Sequence, residues 1–422
     1  MRSTRTRRAA ALVALTLVVA TACGQPGAAP ERVATPAAPS DPLLGPADPA
    51  TGSPVRVGLF NVEDNDLADL SSTGDAAEAA AQYANEHLGG LDGHRIEVVR
   101  CADKIDPQSA AACAQQFVEA GVVAVVAGQP TTSDAVLPTT VGAGIPWVGS
   151  SPLSPSEIAS PDAFFFGSGA VGLLGAYAQY SHDLGYDQVT IYGVESPQVL
   201  GLVGTVGKSI FARAGVGMRL EAVPPGGDAT APVEDGLSDD PDAVLVIAER
   251  SACQSVLAAL AALDAPQTKL LGTGCVDQGV IGALGESAID NAVVFAVGDP
   301  SGDHPEAQVY RAVMKQYAPA AEPTGLTTAG YVSMLGFIRA VNSVGLPDGD
   351  AVTGEEVTGV LREAKDVPRP LGNSSTFSCD RSHLAPQLVQ ATICTSEVLY
   401  TTYTAGLPGR YDKIDVAPVY GG

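Results

Sequence analysis

Between residues 55 and 297 the chain alternates short, almost wholly apolar runs with longer stretches of small and apolar residues at helical spacing. "VRVGLF" (55–60), "RIEVVR" (95–100), "VVAVVAG" (122–128) and "IPWVGSS" (145–151) predict four strands. The helices predicted between them are an Ala-rich one over 74–87 closed by Gly89-Gly90, one opened by Asp106-Pro107 and stopped by Gly121, and one starting near Ser133. The pattern then begins again, with a helix over 171–184, strand "QVTIYGV" (188–194), a helix over 199–214 and strand "DAVLVIAE" (242–249). A helix over 252–263 and the strands "KLLGTG" (269–274) and "NAVVFAV" (291–297) follow. Near-continuous Val/Ile runs separated by helices describe parallel strands buried on both faces, and two such series predict two doubly wound parallel-sheet lobes of an α/β protein. Helices over 306–317, 327–344 and 354–364 must pack back on one of them, and "QATICTSEVLYTTYT" (390–404) predicts a last strand-like region.

The first residues follow a different rule. Arg2, Arg5, Arg7 and Arg8 form a basic start, residues 9–22 are apolar except for two threonines, and the run ends in small residues before Cys23. That order is a secretory signal over residues 1–22. Fourteen helical residues span about 21 Å, short of the roughly 30 Å hydrocarbon core, so a permanent membrane span is the weaker reading. "ATAC" resembles the bacterial lipobox, which implies cleavage before Cys23 and lipidation of its thiol. Ala20 stands where that motif usually has Leu, which leaves ordinary cleavage as the alternative. Residues 23–54, rich in Ala, Pro, Gly and Ser without periodicity, are expected to be a flexible tether.

The 422 residues suffice for two sizeable cores. A formal charge of −24 argues against a nucleic-acid partner, because phosphate backbones call for concentrated Lys and Arg. Setting Cys23 aside leaves six cysteines, an even number that suggests disulfides in an exported protein. Fifteen connectivities are possible. Sequence neighbours pair most simply, as Cys101–Cys113, Cys253–Cys275 and Cys379–Cys394. No cysteine or histidine spacing suits zinc, and neither a metal nor a cofactor is expected.

The motifs that suggest catalysis fail on context. "GSGAVG" (167–172) matches GxGxxG, but Asp187 precedes the next predicted strand instead of closing it. "GLVGTVGKS" (201–209) has one residue too many for a P-loop and falls inside a predicted helix. There is no GxSxG or HExxH, and the five histidines read as surface residues. The chain is read as a non-enzyme.

The segment from "GDAAEAAAQYANEHLGGLDGHRIEVVRCADKIDPQSAAACAQQFVEAGVVAVVAG" to "GIPWVGSSP" resembles the branched-chain amino-acid type of ABC-transporter substrate-binding protein. The resemblance lies in the Ala-rich helix with its Gly-Gly turn, the Asp-Pro helix and the strand that follows it. It implies a periplasmic-binding-protein type I fold, in which a three-crossover hinge joins two lobes that close on a ligand. Crossovers are expected near 167–172, 298–302 and 371–377. Lobe one is then 55–168 plus 300–371, and lobe two is 169–299 plus 372–422.

Ligands of open parallel sheets sit beyond the carboxyl ends of the strands. That rule selects Asn61 to Asp64, Gln129 to Ser133 and Ser150-Ser151 in lobe one, and Tyr192 to Ser196, Glu249-Arg250 and Thr273 to Cys275 in lobe two; the ligand-binding candidates among them are Thr132, Ser133, Ser150, Ser151, Tyr192, Glu195, Glu249 and Arg250. The helix start at Ser133 offers free N–H groups to a carboxylate, although Thr132 or Ser133 acting only as a cap explains it equally. The resemblance implies hydroxyl and amide contacts from "TTS" and "SS" to a ligand carboxylate, and an acid of lobe two on its ammonium. Cys275 and Pro197 depart from that pattern, so the expected ligand is a small polar molecule, amino-acid-like or an amide. The resulting expectation is a monomeric, lipid-anchored protein on the extracytoplasmic face of the cell membrane, handing this ligand to an ABC permease. A sensor on the same fold is the first alternative, and a secreted α/β hydrolase the second.

Overall fold

The computed structural model describes residues 41–65, 69–321, 326–347, 351–383 and 390–420. The signal, Cys23 and the first part of the tether lie outside them.

The first half alternates as expected: β1 (Gly52–Val62), α1 (Ser71–His87), β2 (His94–Asp103), α2 (Pro107–Ala120), β3 (Val125–Ala127), α3 (Ser133–Gly142), β4 (Trp147–Gly149), α4 (Pro155–Ala159) and β5 (Ala163–Phe165). The second series runs α5 (Gly169–Asp183), β6 (Gln188–Val194), α6 (Pro197–Leu202), α7 (Lys208–Ala214), β7 (Gly217–Val223), α8 (Thr230–Leu237), β8 (Ala243–Ile247), α9 (Arg250–Ala262), β9 (Thr268–Leu271), α10 (Gln278–Leu284) and β10 (Val293–Ala296). After these come α11 (Pro305–Tyr317), α12 (Thr327–Val344), α13 (Gly354–Glu363), β11 (Val367–Pro368), β12 (Thr376–Phe377), β13 (Thr392–Ile393), β14 (Glu397–Thr404), β15 (Leu407–Pro408), β16 (Asp412–Asp415) and α14 (Ala417–Tyr420).

Two sheets organise the chain into two lobes. The first has the order β13-β5-β4-β3-β1-β2, parallel throughout. The second has the order β15-β14-β10-β9-β8-β6-β7, parallel from β10 to β7, with β14 antiparallel to β10. Strand alternation places Val57, Leu59, Val126, Val148 and Phe164 on one face of the first sheet, against α1, α11, α12 and α13. Phe60, Val125, Trp147 and Phe165 lie on the other face with α2 and α3. The α1–α12 contact requires a glycine, since a Cβ on Gly330 would overlap the Thr73 carbonyl oxygen.

Three disulfides join Cys101 to Cys113, Cys253 to Cys275 and Cys379 to Cys394. The P-loop-like stretch lies within the helical run from α6 to α7, where no phosphate loop forms.

Besides the added elements β7 and α8, two features differ from the sequence reading. Residues 41–54, assigned to the tether, are ordered on lobe one. Leu44 is buried in its core, and the amides of Asp48 and Ala50 bond the carbonyls of Glu86 and Asn85 at 2.9 Å each. The last turn of a helix leaves such carbonyls without intrahelical partners, so the end of α1 can recruit a backbone that composition marks as loop. The single strand read over 390–404 is two. β13 pairs with β5 in the first sheet and β14 begins the second, so the chain changes sheets at 394–396 and not near 371–377. The Cys379–Cys394 bridge and the Ser378 N–H on the Cys394 carbonyl (2.8 Å) hold the first part of this segment to lobe one.

Candidate functional site

The lobe-one rim consists of the loops that follow β1 to β5. At the end of β1, buried Asn61 bridges two loops: its amide donates to the Leu70 carbonyl (2.8 Å) and Glu63 Oε1 (2.9 Å), and its Oδ1 accepts from Gln129 N (2.9 Å). Glu63 in turn meets Arg100 at 2.8 Å, and Arg100 reaches Asp75 at 2.9 Å.

Asp103, at the end of β2, is fully buried beneath the loop that carries "TTS". Its Oδ2 accepts from Thr131 N (2.6 Å), Thr131 Oγ1 (3.1 Å) and Thr132 N (2.9 Å), and its Oδ1 accepts from Thr132 Oγ1 (2.8 Å) and Ile105 N (2.8 Å). Thr132 precedes α3 without a side-chain capping bond, because its hydroxyl is held by Asp103.

Ser133 and the loop after β4 are braced together. Asp134 accepts from Ser156 N at 3.0 Å and from the Ser156 hydroxyl. Burial works against ionisation of Asp134, but these bonds hold its carboxyl below the ordinary value. Glu157 is fully buried and accepts from Trp147 Nε1 (3.0 Å), Ser154 N (3.0 Å) and Leu153 N, closing a capping box with Ser154. Burial pushes the Glu157 carboxyl up, against those bonds. The Ser133 hydroxyl is buried close to this carboxylate without a well-formed hydrogen bond. Ser150 is buried and Ser151 half-buried at the end of β4, with the Ser150 carbonyl accepting from Gly167 N (2.9 Å). Because β3 and β4 pair side by side, Ser133, Ser150 and Ser151 stand beyond adjacent strand ends of one lobe.

The lobe-two residues are distributed differently. Tyr192 is fully buried in the core of lobe two, with its hydroxyl on the Val233 carbonyl at 3.1 Å, so it does not reach the rim. Alternation along β6 explains this, because both faces of the strand are covered and only the loop beyond it is open. Glu249 caps α9, accepting from Ser251 N, Ser251 Oγ and Ala252 N. Burial opposes ionisation, but those bonds hold the Glu249 carboxyl below its ordinary value. Arg250 is exposed and pairs with Asp277 at 2.8 Å, while Asp277 also caps α10. Glu195 is exposed just beyond β6. The structure therefore gathers Thr132, Ser133, Ser150 and Ser151 on the lobe-one rim, engages Glu249 and Arg250 locally, and places Tyr192 elsewhere. Asp103 and Glu157 are absent from the sequence reading. An acid at a strand end before "DP" and an N3 acid in "SPSE" are the signals that mark them.

A cavity of about 470 Å³ lined by Val141, Ile145, Asp162, Glu355 and Arg362 opens near the start of β4, opposite the rim. It is separate from the candidate site.

Two parallel-sheet lobes with three passages of chain between them limit the choice of families, and the sequence decides it. The profile of the periplasmic binding protein family matches residues 54–391. The chain belongs to the periplasmic binding protein family. No curated protein sequence matches it. Among solved structures, this family member is similar to an ABC transporter substrate-binding protein from Sphaerobacter thermophilus, at 19% identity and a TM-score of 0.67 over 86% of this chain and 98% of that one. It is also similar to the branched-chain amino acid transporter substrate-binding protein from Streptococcus pneumoniae in complex with isoleucine (18% identity, TM-score 0.64, 86% and 100% covered). A third is an ABC transporter substrate-binding protein from Desulfitobacterium hafniense complexed with Leu (15% identity, TM-score 0.63, 86% and 100% covered). These likenesses establish the type I periplasmic-binding-protein fold. Among the described residues no helix is long and apolar enough to cross a membrane.

Proposed function

We propose that this periplasmic binding protein is a lipid-anchored, extracytoplasmic solute carrier without catalytic activity. It captures a small polar ligand between its lobes and delivers it to an ABC permease. The observation that carries the reading is the braced lobe-one rim, where Asn61, Asp103, Asp134 and Glu157 fix four loops at the strand ends. Such bracing keeps ligand-facing groups in place before binding, which lowers the ordering cost of association. Ser133, Ser150 and Ser151 are the proposed lobe-one contacts and Glu195 the lobe-two contact. The proposed hinge runs through 166–168, 297–304 and 394–396. Cys23 is the proposed lipid attachment, and the protein acts as a monomer. The ligand is amino-acid-like or an amide; the fold neighbours from Streptococcus pneumoniae and Desulfitobacterium hafniense, solved with isoleucine and Leu, support the first of these.

A thermal-shift screen over amino acids, amides, ureas and short peptides, followed by calorimetry on the hits, tests this reading. At least one compound is expected to raise the melting temperature and bind with a one-to-one stoichiometry. A flat response across the whole panel would overturn solute capture.

A further inference from the structure

Of the donors expected to hold a ligand carboxylate, those of Thr131 and Thr132 already hold one. Thr131 and Thr132 direct two amides and two hydroxyls at Asp103, and Ile105 adds a fifth donor at 2.8 Å. A carboxylate offers about four lone-pair sites, so five donors saturate it. Beyond β4 the arrangement repeats: the Leu153 and Ser154 amides are taken by Glu157, and the Ser156 amide by Asp134.

We propose that Asp103 is a specificity-determining residue: it supplies the 131–132 donors with a carboxylate from within the chain, so the ligand meets lobe one with an amine or amide instead of a carboxylate. A ligand carboxylate could reach those donors only by displacing Asp103, which would leave a buried charge unpaired, or by sharing the site, where two like charges resist joint ionisation. The hydroxyls of Ser150 and Ser151 accept as readily as they donate, and suit an N–H group. Leu153, 48% exposed, adds aliphatic surface beside them. The ligand class is a small aliphatic amine or amide. This deepens the solute-capture reading and rests on it.

Leucine, leucinamide and isoamylamine share one side chain and differ in the carboxylate. In calorimetry on the wild-type chain, leucinamide or isoamylamine is expected to bind at least about tenfold more tightly than leucine, a difference of about 1.4 kcal/mol. Leucine binding as tightly as both overturns the proposal, as does failure of both the amine and the amide to bind. A second arm needs no ligand. Asp103→Ala leaves a carboxylate-sized gap, and excess formate is expected to raise its melting temperature by roughly 2–4 °C relative to chloride, with no such gain in the wild type. No formate response in a folded variant overturns the assignment of these donors to Asp103. The wild-type comparison stands even where the variant does not fold. Failure of solute capture itself would appear as a flat response in the broad ligand screen with the formate response intact.

Discussion

Arg369 bonds the backbone of Glu397: its Nη1 donates to the Glu397 carbonyl at 3.0 Å, and its Nη2 donates to the carbonyl of Val297. Val297 follows β10 and Glu397 opens β14, so one buried guanidinium ties two passages of chain between the lobes. The side chain is buried, and burial lowers its pKa to about 10.

Replacing Arg369 by Met should therefore leave two partly buried carbonyls without these donors. The expected loss is about 2–4 kcal/mol of stability, read as a lower urea midpoint at an unchanged slope. An unchanged midpoint would mean that relief from burying the cation offsets both lost bonds.

Glu157 should make stability depend on pH. Its folded pKa lies above the ordinary carboxyl value, so the folded state binds more protons than the unfolded state in that window. Its contribution to stability is then fully present at low pH and declines as pH rises past the ordinary value near 4.5. Glu157→Gln should flatten this decline while lowering stability overall, because a Gln amide would face the Leu153 and Ser154 N–H groups. Thermal unfolding of both proteins from about pH 4 to pH 8 reads the difference; parallel curves would count against Glu157 as the source.

Once a ligand is in hand, Ser151→Ala and Glu195→Gln should each weaken binding by about 1–3 kcal/mol, or roughly five- to hundredfold. Glu249→Gln should change stability through the α9 cap and leave affinity nearly unchanged. Wild-type affinity in both of the first two variants would place the ligand elsewhere.

Native protein extracted from membranes should begin at Cys23 and carry the mass of a lipid. Mass spectrometry that finds an unmodified terminus at any other residue would rule out the anchor.

The repeating fold is legible because parallel strands buried on both faces leave continuous apolar runs in the sequence. The change of sheets at 394–396 is not, because "QATICTSEVLY" keeps strand-like composition throughout and only the pairing partners differ. The rim is legible in part. Strand ends mark the rim, which locates Ser133, Ser150 and Ser151. Composition does not separate a ligand-facing acid from a capping acid, and Glu249 is the latter. Tyr192 stands near a strand end, yet a residue still inside the pleat points into a core. Asp103 escapes local patterns because its role depends on a loop about thirty residues away.

The contact between residues 48–50 and the end of α1 fixes the start of the described chain to one pole of lobe one. α1 starts beside the rim, after β1, and ends at the other pole of lobe one, where Asp48 and Ala50 bond it. Residues 41–50 thus lie at the pole of lobe one away from the rim. Under the anchoring proposed above, a hold at that pole would leave the strand ends of lobe one, at the opposite pole, uncovered.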